Sequence, residues 1–296
     1  MRSLNKRARA VALLTALSSV LILGLMGNNW IEVSHYQVSV KSLPRALDGL
    51  KIVHLSDLHG KTFGRANSVL ANLILAENPD LVVCSGDMVD ALDADGSGFI
   101  SLVRALAGRC PVYYVLGNHE LALREREDTR AAYQAVAREA GRLRVTLLEN
   151  SAAVLERGEA RLAIYGLTYP SGQGVTFGSG PANAGLSVQF IRDSVGNPPE
   201  DIPVILISHD PKWFEVYAAW GADLVLCGHL HGGIIRVPGK GGLLSPDRIL
   251  FPKCDAGLYS MGSSTMHVSR GLGISGIPFR IFNRPDLSVI TLRSES

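Results

Sequence analysis

Leu50-Lys51-Ile52-Val53-His54-Leu55-Ser56-Asp57-Leu58-His59 runs from an apolar, strand-like segment straight into two side chains of metal-ligand type. The same transition recurs along the chain. Residues 81–84 lead to Gly86-Asp87, residues 112–116 to Gly117-Asn118-His119-Glu120, residues 204–207 to Ser208-His209-Asp210, and residues 224–226 to Gly228-His229-Leu230-His231. Six strong ligands (Asp57, His59, Asp87, His209, His229, His231) and one amide (Asn118) delivered to strand ends are hard to explain as packing. They describe a site for two metal ions.

Helical patterns separate the first of these runs. Residues 65–77 carry Val69, Leu70, Leu73 and Ile74 at helical spacing, with Pro79 as a stop, and residues 99–106 read as a second helix. Strand, helix, strand alternation predicts parallel strands with helical crossovers, and uninterrupted apolar runs predict a sheet covered on both faces. Strand ends then converge on one edge, where ligands bind in such sheets. Side chains repeat every two residues in extended backbone, so Asp57-x-His59 and His229-x-His231 should each present two ligands on one side.

Farther along, residues 125–141 read as a charged surface helix. Three short strands at 145–149, 153–156 and 162–167 lack intervening helices and suggest an antiparallel part. Residues 171–185, rich in Gly and Ser, and residues 238–257 read as loops, and residues 287–292 as a last strand. Residues 30–44 look like a lead-in. No repeat or low-complexity linker divides the chain after its start, so a single domain over residues 32–296 is expected.

A net charge of +2 over 296 residues gives no reason to expect a nucleic-acid partner. Four of the positive charges, Arg2, Lys6, Arg7 and Arg9, precede an uncharged apolar stretch over residues 10–31. Its 22 residues suffice for a bilayer span, with Trp30 suited to a membrane interface, so residues 1–31 are expected to be a transmembrane anchor. The flanking charge would keep the N-terminus cytoplasmic and the domain outside the cytoplasm at the cell membrane. A cleaved signal peptide followed by secretion is the alternative, although no clear small-x-small cleavage site appears. Cys84, Cys110, Cys227 and Cys254 form no C-x-x-C pair and read as structural.

Carboxylate, imidazole and amide oxygen together favour divalent Mn, Fe or Zn, and with no thiolate among them a structural zinc site is not indicated. The ordered series Asp57-x-His59, Gly86-Asp87-x-x-Asp90, Gly117-Asn118-His119-Glu120, His209 and Gly228-His229-x-His231 resembles the calcineurin-like metallophosphoesterase family over about residues 50–235. Each motif alone is weak; all five in order are specific.

The resemblance implies an α+β four-layer sandwich, two mixed β-sheets packed face to face with helices outside. It implies two divalent ions as cofactors: Asp57, His59 and His231 on one, Asn118, His209 and His229 on the other, and Asp87 bridging. A hydroxide held between them would attack phosphorus in line. His119 would serve the leaving oxygen, with Asp90 orienting it. The implied activity is phosphoester hydrolysis, on a diester or pyrophosphate.

Val268-Ser269-Arg270-Gly271-Leu272-Gly273, Pro278-Phe279-Arg280-Ile281-Phe282-Asn283-Arg284-Pro285 and His231-Gly232-Gly233 resemble a membrane-associated bacterial branch. That branch includes enzymes similar to UDP-2,3-diacylglucosamine hydrolases, which makes a lipid-linked substrate one expectation. A non-catalytic scaffold on the same fold is the rival, set back by the full ligand set. A phosphoprotein phosphatase would want arginines beside the metals, and none directly follows Asp90 or lies within Asn118-His119.

Gly271-x-Gly273-x-x-Gly276 matches a dinucleotide fingerprint but is followed by Ile277-Pro278-Phe279 rather than a helix, so it is set aside as a nucleotide motif, with a glycine-lined wall of the active site as the alternative. His35, His54 and His267 read as surface or core histidines, and Arg236, Lys240 and Lys253 as solvated loop charges.

Overall fold

The computed structural model describes residues 6–41, 43–92, 94–168, 186–274, 276 and 279–295, without the side chains of 23–25. Two six-stranded mixed sheets form the body. The first has the order β1 (Glu32–Val40), β14 (Asp286–Ser294), β2 (Lys51–Leu55), β3 (Leu81–Cys84), β4 (Val112–Tyr114), β5 (Val145–Leu147). The second has the order β12 (Gly257–Met261), β13 (Ser264–Val268), β9 (Leu224–Cys227), β8 (Val204–Ser208), β7 (Ala160–Leu167), β6 (Ser151–Arg157). Strands β2 to β5 are mutually parallel, as are β7, β8, β9 and β13.

Alternation along each strand explains the layering. On β2, Ile52 faces the second sheet and joins Val83, Ile164, Ile205, Ile207 and Leu226 in the central core. Val53 and Leu55 face the other way, onto α2 (Ser68–Ala76), α3 (Ser97–Leu106) and α5 (Glu127–Arg142) through Leu70, Ile74, Phe99, Leu102 and Val136. The outer face of the second sheet is covered by α6 (Val188–Val195) and α7 (Phe214–Trp220), with Ile191, Tyr217 and Trp220 against Leu206, Val225 and Met266. The inner strands β3, β8 and β9, buried on both faces, are continuous apolar runs, whereas the outer strands are partly exposed. The architecture is the four-layer α+β sandwich.

Several elements depart from the sequence expectation. The lead-in is a nine-residue strand, β1, pairing in parallel with β14. Residues 145–147 continue the parallel first sheet; only β6 and β7 of the three helix-free strands pair antiparallel. Helices α4 (Asn118–Glu125), α6 and α7 were not anticipated, being short or interrupted by polar residues. The expected loop at 171–185 lies outside the described residues.

The stretch expected to be a transmembrane anchor is helical over residues 6–27. The N-terminal helix α1 (Lys6–Gly27) stops four residues before the apolar stretch ends. Asn28 and the residues after it belong to the domain: Arg280 N donates to Asn28 Oδ1 at 2.7 Å, and the Arg284 guanidinium stacks on Trp30. Among the described residues, no helix is long and apolar enough to cross a membrane.

Candidate metal centre

All five ligand-bearing segments leave the C-terminal ends of parallel strands: β2, β3 and β4 in the first sheet, β8 and β9 in the second. The chain turns sharply at each exit. Asp57, His59, Asp87, His229 and His231 all have positive φ, between 47° and 70°. Non-glycine residues adopt this left-handed backbone at a cost, and such residues cluster at functional sites. The reasoning from extended i, i+2 spacing is therefore corrected. The paired ligands sit in left-handed turns just beyond the strands, and these turns aim them.

Asp57, His59 and His231 bring ligand atoms within 4.8 Å of one another, as do Asp87, His209 and His229, and so do His59, Asp90 and His119. In the first cluster, His59 Nε2 lies 3.1 Å from His231 Nε2, which lies 3.5 Å from Asp57 Oδ1. Asp87 Oδ2 stands between the first two clusters, 3.1 Å from His209 Nε2 and 3.9 Å from His59 Nε2.

The donor atoms fit a metal on a further ground. His229 Nδ1 and Asn118 Oδ1 are buried without a hydrogen-bond partner, and the buried His209 Nε2 meets the Asp87 carboxylate at 3.1 Å. The other nitrogen of each histidine is engaged, His209 Nδ1 by Ser85 O at 2.8 Å and His229 Nε2 by Asp247 Oδ2 at 3.2 Å. Buried polar atoms are seldom left unpaired, so these two unpaired lone-pair atoms on ligand-bearing segments suit a cation.

His119 accepts a hydrogen bond from Ala91 N at Nδ1, 3.0 Å, so its neutral ring carries the proton on Nε2, which lies 4.0 Å from Asp87 Oδ2. Asp90 comes closer to His59 Nδ1, at 3.4 Å, than to His119 Nδ1, at 3.9 Å. Its other oxygen accepts from Leu92 N.

Electrostatics divide the histidines. Burial disfavours charge on His209, but the Asp87 and Asp57 carboxylates outweigh it and lift its pKa to about 10. Burial, with the charges of His59 and Arg280, holds His231 well below the usual range. His119 is also lowered, chiefly by burial. Asp87 is buried, which opposes ionisation, yet His209, His119 and His59 draw its pKa well down. In the metal-free protein a shared set of protons stands where cations fit.

The supporting residues were mostly illegible. Glu120 is fully buried and accepts from four backbone N–H groups: Met88 and Val89 on Oε1, Asp87 and Gly117 on Oε2. It ties the β3 and β4 exits together. Gly228 packs so closely that an added Cβ would overlap Ser56 Oγ and Asp57 Oδ2. Gly271 and Gly273, two of the rejected fingerprint glycines, press against Asp57 and Leu58, and Leu272 N donates to Ser56 O. Arg280, also buried, donates to Gly273 O, Arg270 O and His231 O. His54 and His267, lacking partner motifs in sequence, partner each other at 2.8 Å in the core. Arg236 is bound by Asp255 rather than solvated.

These features define a clustered metal site on a four-layer sandwich. The chain belongs to the calcineurin-like phosphoesterase family, whose model matches residues 50–233. That family comprises phosphoester hydrolases that use divalent metals. The chain is 27% identical over 271 residues to the uncharacterised metallophosphoesterase YkuE of Bacillus subtilis, covering 89% of this chain and 86% of that one. It is 27% identical over 249 residues to the phosphodiesterase YaeI of Escherichia coli, covering 82% of each. A zebrafish transmembrane protein with a metallophosphoesterase domain is 28% identical over 270 residues, covering 88% of this chain and 57% of the fish protein.

Proposed function

We propose that the protein is a dinuclear-metal hydrolase of phosphodiesters or pyrophosphates, with its catalytic domain over residues 32–296. The observation that carries the reading is the grouping of ligand atoms from Asp87, His209 and His229 beside those of Asp57, His59 and His231, with His229 Nδ1 and Asn118 Oδ1 buried and unpaired. These seven residues would hold two divalent ions, Mn, Fe or Zn. Bound ions would neutralise phosphate charge and acidify water. The chain's own residues do the rest. Asp87 lies between the clusters and sets their separation. His119, neutral with its proton on Nε2, hydrogen-bonds the leaving oxygen as its charge develops. Asp90 fixes the ring of His59 from behind.

Preference for a diester rests on the basic groups. A monoester dianion asks for cations beyond the metals, and three basic side chains close to the ligand residues already have partners. Arg280 is held by backbone carbonyls, Lys212 by Asp210 and Lys61 by Asn28 O. The name of the YaeI relative, a phosphodiesterase, agrees. A scaffold role would not require the complete ligand set.

The test is manganese-dependent hydrolysis of bis-p-nitrophenyl phosphate against p-nitrophenyl phosphate, with Asp87→Asn and His119→Ala as controls. Diester turnover that needs metal and collapses in both variants supports the reading. A folded protein that binds two metals yet prefers the monoester would overturn the diester preference. A folded protein that binds none would return the scaffold.

A further inference from the structure

Asp247 stands 18 residues beyond His229 in a loop with no ligand motif, and its Oδ2 lies 3.2 Å from His229 Nε2. The loop is built to put it there. Residues 245–248 form a tight turn in which Arg248 N donates to Ser245 O at 2.9 Å. Ser245 N donates to Ile249 O, and Ile249 N returns to Ser245 Oγ. The turn is fastened to the chain just after the ligands, with Leu243 N on Ile235 O and Leu244 N on Gly233 O. Behind it, β10 (Arg236–Val237) pairs with β11 (Gly241–Gly242), and Asp255 closes the loop through Arg236 and Gly242 N.

We infer that Asp247 is a positioning residue for the second metal, acting through His229. An imidazole has one donor and one acceptor nitrogen when neutral. With Nε2–H given to Asp247, the lone pair must reside on Nδ1, the atom that is buried and unpartnered. Asp247 thus selects the tautomer that can ligate and fixes the ring angle, the arrangement in which an outer carboxylate strengthens a ligating histidine. His229 needs this support more than its neighbours do. Its backbone is left-handed, at φ 70°, and while its N–H is held by the Asp57 carboxylate, the hydrogen bond to its ring comes from Asp247. His209, by contrast, is fixed by Ser85 O.

The inference rests on the two-metal reading, and the experiment separates the two. Manganese binding to the full chain is titrated by calorimetry, with metal content checked by elemental analysis, for wild type, Asp247→Asn and Asp247→Ala. The wild type should take up two ions. Asp247→Ala should keep one site and weaken the other about 10–100-fold, the usual effect of losing such a partner. Asp247→Asn, which retains an acceptor oxygen, should fall between. Melting of the metal-free proteins should coincide, because Asp247 is half exposed on a loop. Wild type with two ions and Asp247→Ala with two equally tight ones overturns the role of Asp247 alone. A wild type that binds fewer than two removes the dinuclear reading and this inference with it. Equal loss at both sites, with lowered melting, makes Asp247 a loop-folding residue and overturns the inference.

Discussion

Replacing Glu120 with Gln should destabilise the metal-free protein by about 2–4 kcal/mol. The carboxylate accepts four backbone N–H groups, two on each oxygen, at 2.6 to 3.0 Å. Four donors and no acceptor suit the ionised form, even though burial pushes the pKa of Glu120 upward, as does the neighbouring Asp87. Glutamine keeps one oxygen and so two of the bonds. Its NH₂ group then faces two N–H donors across a site with no water to spare. Bonds to a charged group contribute about 1.5–3 kcal/mol each, so two losses amount to about 3–6 kcal/mol. Relief of repulsion from Asp87 offsets about 1–2 kcal/mol of that. Glu120→Ala, which abandons all four donors, should be worse. Urea titration of the metal-free proteins, followed by circular dichroism and extrapolated linearly, measures this directly. A Gln variant within about 0.5 kcal/mol of wild type at an unchanged slope would refute the claim that the carboxylate holds the two strand exits together.

Gly228→Ala should cost the first metal: its Cβ would displace the Asp57 carboxylate, and manganese affinity at that site should fall at least about tenfold by calorimetry, whereas unaltered binding of both ions would contradict the packing. His267 has a folded pKa of about 4 against 6.5, lowered by burial, so the unfolded chain takes the proton first. Stability should therefore be full above pH 6.5 and fall toward pH 4, by on the order of 3 kcal/mol for this residue, with His54 acting in the same direction. His267→Gln should flatten that part of the pH profile in metal-free protein, and parallel wild-type and variant profiles would exclude it. Metal should raise the melting temperature, since a ligand at 100 times its Kd adds about 2.7 kcal/mol per site; chelation that leaves melting unchanged would mean the clusters hold no ion.

Much of the site was legible because its chemistry sits in short motifs at strand ends. The local rule, apolar run then ligand, picked out Asp57, His59, Asp87, Asn118, His209, His229 and His231, and the structure groups ligand atoms of all of these but Asn118. What failed was the account of how they are aimed. Side-chain alternation applies inside a strand, and these residues lie past its end in left-handed turns. Contacts between distant segments were illegible for a different reason. β14 slots between β1 and β2, pairing Ser288 with His54, and no periodicity reports a partner so far along the chain. Asp247, His267 and Arg280 are invisible on the same ground: each acquires its meaning only from what it touches. The short helices α4, α6 and α7 offered too few turns for a pattern to rise above chance.

The strained turns and the stiff frame beneath them belong to one design. Five left-handed non-glycine ligands cost about 1–2 kcal/mol each, together comparable with the whole stability of an ordinary domain. Unsupported, these turns would relax toward ordinary backbone and the clusters would open. The supports are therefore rigid and buried where the strain is greatest. Asp57 N and His59 N are bonded to Gly86 O and Asp87 O, Leu272 N reaches Ser56 O, and Glu120 closes the Asp87 turn from below. His229 N rests on the Asp57 carboxylate itself. The first and second sheets are thus joined at the site by the ligands' own backbones as well as by the core between them. A ligand set preorganised in this way gives up little further conformational entropy when ions arrive, so more of their binding free energy remains to act on the phosphate.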